Sequence, residues 1–165
     1  MKKHILCTVL LFISIGCTNN SGDDFAGVLL NSSASDLKSQ GFTCKTISDG
    51  ITCIRFDKNP TIINEDIKEI AVSFDKTEII SGISVTLVKE PASLEDVFEI
   101  QHRLDAIYEE RESKMNGSSS MGYIRHWNRN DKSVVRLVVL NGIQGLIKQS
   151  ISLVLFPKNM VTGDI

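Results

Sequence analysis

Eight residues, Lys-Thr-Ile-Ser-Asp-Gly-Ile-Thr, separate Cys44 from Cys53, and turn formers (Ser48, Asp49, Gly50) sit at their centre. This pattern predicts a hairpin with strands over about 42–47 and 51–56, and its register decides whether the sulfurs can meet. A two-residue Asp49-Gly50 turn sets Cys44 opposite Arg55. The cysteines are then diagonal neighbours with Cα atoms about 7–8 Å apart, at or beyond disulfide reach. A four-residue loop over Ile47 to Gly50 sets Cys44 directly opposite Cys53, so a Cys44–Cys53 disulfide selects that register. A metal site is the weaker alternative. The only other histidines outside the first segment, His102 and His126, lie in unrelated stretches, and the spacing is not that of a redox Cys-x-x-Cys pair.

A disulfide needs an oxidising compartment, and the N-terminus supplies the route to one. Lys2 and Lys3 form a positive start, residues 5–15 (ILCTVLLFISI) form an apolar run, and Ser14-Ile15-Gly16 offers small residues at a cleavage site. A helix of eleven residues reaches about 16 Å, half the hydrocarbon thickness of a bilayer, so the run is read as a signal peptide over 1–16 and not as a span. Gly16-Cys17 with the aliphatic Ile15 before it resembles the lipobox of bacterial lipoproteins, although Ser14 stands where that pattern has an aliphatic residue. The resemblance covers residues 1–17 only. It implies cleavage before Cys17, acyl chains including palmitate on its thiol and, with Thr18 and not Asp following, the periplasmic face of the outer membrane. An ordinary secretory signal could be cut at the same bond. The polar stretch Thr18-Asn-Asn-Ser-Gly-Asp-Asp24 favours the lipoprotein, as a tether between lipid and domain. The tether is read over 17–37 and a single domain over 38–165.

The remaining chain is of ordinary globular composition, 42% hydrophobic and 23% charged over 165 residues. Its net charge is −2; without Lys2 and Lys3, sixteen basic against twenty acidic residues leave −4. No basic excess is present to neutralise phosphates, which argues against nucleic acid as a partner.

Apolar residues alternate with small or polar ones in 70–74 and 83–87, a strand pair around a polar turn at Asp75 to Glu78. Ser93 and Asp96 mark a helix start, and Leu94, Val97, Phe98, Leu104, Ile107 and Tyr108 form a stripe that predicts one long amphipathic helix packed on a sheet. Residues 116–122, rich in Gly and Ser, read as a loop. Three further strands are expected over 123–127, 134–140 and about 150–156, with a turn signal at Asn141-Gly142. The expected class is therefore α+β: an antiparallel sheet of hairpins with one long helix across its buried face.

No nucleophile elbow, phosphate loop or zinc-protease motif occurs; Gly117 to Gly122 lacks the G-x-S-x-G spacing. The chain is accordingly read as a non-enzyme without cofactor or metal. If residues 123–129 are extended, Tyr123, Arg125, Trp127 and Arg129 share a side, the mix that binding hot spots favour. The plainer reading makes Trp127 a core residue. Two functions fit these features. One is an anchored envelope protein that binds a protein partner, as an inhibitor or immunity-type factor; the other is a structural accessory lipoprotein in envelope assembly.

Overall fold

The computed structural model describes residues 24–56, 61–89, 93–110, 117–119, 122–130, 132–140 and 150–157. The signal segment, Cys17, the tether up to residue 23 and the Asn141-Gly142 turn lie outside the described residues. In chain order the elements are β1 (Asp24–Phe25), β2 (Val28–Leu29), α1 (Ala34–Ser39), β3 (Thr43–Ile47), β4 (Gly50–Arg55), β5 (Thr61–Ile62) and β6 (Glu65–Phe74). They continue with β7 (Ile80–Leu87), α2 (Leu94–Asp105), β8 (Glu109–Glu110), β9 (Gly117–Ser119), β10 (Gly122–Asn128), β11 (Ser133–Leu140) and β12 (Ser150–Pro157).

The long strands form one antiparallel sheet in the order β3-β4-β6-β7-β12-β11-β10-β8, with β5 on β6 and β9 on β10. Two meanders are joined where β12 pairs with β7, Leu153 opposite Val85 and Leu155 opposite Ile83. One face, here the inner one, carries an unbroken apolar belt across that seam: Val72, Ile83, Val85, Leu153, Leu155, Leu137 and Val135 are all buried. Their alternation with Ser73, Ser84, Ser152 and Thr86 is the period of two that a sheet wet on one side requires.

The α+β expectation is wrong: among the described residues the fold is mostly β, with two short helices and no long amphipathic helix laid on the sheet. α2 stops at Asp105, the chain re-enters the sheet as β8, and Ile107 and Tyr108 lie past the helix end. Its buried residues are Val97, Ile100 and Leu104, while Leu94 and Phe98 of the expected stripe are 76% and 63% exposed. The reason is size. Seven long strands at about 4.8 Å spacing make a sheet roughly 29 Å wide, whereas a twelve-residue helix is about 18 Å long and 10 Å across. Cover is therefore shared. The β1–β2 hairpin contributes Phe25 and Val28, α1 contributes Leu37, and α2 contributes its three residues, all in one core with the inner belt. The second half of the stretch read as tether is thus folded. The loop read over 116–122 likewise holds β9, paired with residues 122–124 of β10.

The cysteine hairpin has the expected register. Cys44 pairs with Cys53 and the two are disulfide-bonded, Cα atoms 3.9 Å apart. Pairing continues to Ile47 opposite Gly50, so the turn is tighter than expected, Ser48-Asp49. Gly50 has φ +148°, and a Cβ there would sit 1.9 Å from the carbonyl oxygen of Phe74, so the neighbouring backbone admits no side chain.

Candidate functional site

The strand β10 is extended as expected, so Tyr123, Arg125 and Trp127 share the inner face, opposite Val139, Leu137 and Val135. That face is already engaged. The Trp127 side chain is fully buried and its indole Nε1 donates to Asp105 Oδ1 at 2.7 Å. Tyr123 donates its hydroxyl to Gln101 at 2.8 Å, and burial raises its pKa above the usual phenol value. Arg125 pairs with Glu110 at 2.6 Å. These three residues tie β10 to α2 and β8, which suits the plainer reading of Trp127 as core. His126 points to the other face, where its Nε2 accepts from Arg136 Nε at 2.7 Å.

Arg129, just past the end of β10, is placed differently. The turn that follows is held by Asn130, whose Oδ1 accepts from the backbone of Lys132 and Ser133 and from the Ser133 hydroxyl. Arg129 Nη2 donates to the carbonyl of Asp24, and its guanidinium lies 5.7 Å from the centroid of the Phe25 ring. Its Nη1 is buried and has no hydrogen-bond partner. A buried donor left unpaired costs about 1–3 kcal/mol, more when charged, so such a group marks stored strain or a place for an acceptor from water, an ion or a ligand.

Arg129 lines a cleft of about 710 Å³ with Arg55, Arg103, Asp24, Phe25, Ile62, Ile107 and Tyr108. The rim is two hairpin tips. Ala26 and Gly27 join β1 to β2, and Ile63 and Asn64 join β5 to β6; all four have left-handed φ, between 49° and 76°. Such turns favour Asn and Gly, and a β-branched Ile at φ 49° is strained. Arg103 holds it: Nη1 donates to the Ile63 carbonyl at 3.1 Å and to Glu65 at 2.5 Å, while Nη2 donates to Glu99. Glu65, only 6% exposed, also binds Lys89 at 3.2 Å, and Lys89 reaches Asp96 at 3.1 Å. Asp96 closes the α2 capping box with Ser93, which, with Lys89, lowers its pKa to about 2. The Asp96 hydrogen bond, then Glu65, raises the Lys89 pKa. Through this network α2 is fastened to the β5–β6 tip, and that wall of the cleft is rigid. Arg55, the third arginine of the lining, donates to the Gln40 carbonyl at 3.2 Å and stacks over Phe42 at 4.5 Å.

No protein-family model matches this chain, and no curated protein or solved structure is similar to it. The site is therefore read from its chemistry alone. Among the described residues no group of three or more His, Cys, Asp or Glu is placed to hold a metal ion, and no helix is long and apolar enough to cross a membrane. Arg129 was within reach of sequence reasoning through its strand. Arg55 and Arg103 were not, since no local pattern links positions 55, 103 and 129.

Proposed function

We propose that this is an exported, lipid-anchored envelope protein that acts by binding a protein partner, as an inhibitor or immunity-type factor, and that the partner docks at the arginine-lined cleft. The address rests on the signal run and on Gly16-Cys17. The binding reading rests on one observation above the rest, a guanidinium nitrogen of Arg129 without a partner beside a cleft lined by both apolar and polar side chains. Arginine beside aromatic residues in a surface recess is an arrangement from which binding hot spots are made. The size, about 710 Å³, suits insertion of a few partner side chains.

Two measurements test this reading in full-length protein produced in a Gram-negative host. Labelled palmitate should enter the wild type and be lost with membrane fractionation in Cys17→Ser. A photo-crosslinking residue at the cleft position Ile107, 51% exposed, should give one discrete protein adduct, and the same group at Lys45 on β3, outside the cleft lining, should give none. An unlabelled protein free in the periplasm would overturn the anchor. Adducts that are absent at Ile107 and present at Lys45 would overturn the cleft.

A further inference from the structure

We infer that the group the cleft takes is a carboxylate on a polypeptide partner, an acidic side chain or chain end flanked by apolar residues; this rests on the binding reading given above. Four features of the cleft converge on it. First, Arg129 Nη1 lacks an acceptor although its sister Nη2 is held by the Asp24 carbonyl. The residue lines the cleft, and the buried Nη1 meets an entering oxygen only if the guanidinium turns outward and gives up its contact with the Asp24 carbonyl. A planar guanidinium offers paired N–H groups that match the two oxygens of a carboxylate.

Second, three arginines line the cleft with one carboxylate, Asp24, among the described residues, and Arg103 is already neutralised by Glu65 and Glu99. Third, the C-terminal end of α2 opens on the cleft at Ala106 and Ile107, bringing the negative end of a helix dipole. That end opposes any anion, and a phosphate dianion more strongly than a carboxylate, so it counts against phosphate as the occupant. Fourth, Phe25, Ile62 and Tyr108 supply apolar wall around the charge, which a free inorganic anion would leave uncovered.

The test uses three probes on the mature, disulfide-bonded chain: benzoate, the neutral isostere benzamide, and phenyl phosphate, each followed by NMR shifts of backbone amides. Benzoate should bind saturably, with shifts at Ala26, Gly27, Ile63 and Asn64 on the cleft rim. Benzamide should bind at least tenfold more weakly, and phenyl phosphate no more tightly than benzoate. Arg129→Gln should lower benzoate affinity at least tenfold with the thermal transition near that of the wild type, and Arg129→Lys should fall between, keeping charge and losing the fork. Equal binding of benzoate and benzamide, shifts confined to other surfaces, or no saturation overturns the inference without recourse to any variant. A tenfold preference for phenyl phosphate overturns it as well. The two readings separate at the Ile107 cross-link. An adduct that survives Arg129→Gln and excess benzoate removes the carboxylate and leaves the partner. Benzoate binding as stated, with no adduct, removes the protein partner and leaves a carboxylate site.

Discussion

Opening the Cys44–Cys53 bridge should weaken the domain by an amount that can be worked out from its ring and its burial. A sequence separation of 9 closes a ring of ten residues. In the chain-entropy model this constrains the unfolded chain by about 2.7 kcal/mol at 25 °C. Reduction adds little to that, because both sulfurs stay in place. Replacement of both by Ala adds more, since Cys53 is fully buried opposite Val72 while Cys44 is half-buried; emptying the inner sulfur site adds about 1 kcal/mol. The expected losses are thus about 2–3 kcal/mol for reduction and 3–4 kcal/mol for the double substitution. For a chain of this length that corresponds to roughly 6–12 °C in the thermal midpoint. Urea titration of the mature protein with and without reductant measures it. Amide exchange should also accelerate first in β3, which has β4 on one side and no strand on the other among the described residues. A reduced protein with an unchanged midpoint would refute the reasoning, because it would mean that the hairpin persists in the unfolded chain or that β3 melts separately.

Three other outcomes are expected. Trp127→Ala should cost about 3–5 kcal/mol and Trp127→Phe about 1–2 kcal/mol, from a fully buried site and one lost hydrogen bond to Asp105; an Ala variant with wild-type melting would place Trp127 outside the core. Asp96 carries a pKa of about 2 in the folded chain against 3.8 unperturbed, so its stabilisation is whole above about pH 4 and is lost as pH falls towards 2. Allowing for solvent screening it amounts to about 1 kcal/mol; Asp96→Asn should flatten that acid limb, and an NMR-titrated carboxyl with its midpoint near 3.8 would contradict it. Gly50→Ala should cost about 2–4 kcal/mol by urea midpoint, because its Cβ meets the Phe74 carbonyl at 1.9 Å; a loss under about 0.5 kcal/mol would show that β4 and β6 can part there.

The local elements are legible in the chain because the signals for them are local. Alternation over 70–74 and 83–87, and β-rich apolar runs over 134–140 and 150–156, mark strands wherever they pair. Ser93 and Asp96 form the capping box of α2 within four residues of chain, and Ser48, Asp49 and Gly50 with two cysteines set a hairpin register. Even the common face of Tyr123, Arg125 and Trp127 follows from the pleat. The remainder depends on neighbours distant in the chain. Period two cannot say which face is inward, and it is the belt from β11, β12 and β7 that turns Trp127 into core. Nor can it say that β12 returns to pair with β7, or that a sheet so wide shares its cover among a hairpin and two short helices, leaving half the α2 stripe in solvent. The strained Ile63 turn carries no turn signature of its own and is held by Arg103, forty residues away. The cleft is the extreme case. Arg55, Arg103 and Arg129 converge because a strand end, a helix and a strand-end turn meet at one end of the sheet, and burial of apolar surface across the whole molecule, not the pattern around any one arginine, brings those ends together.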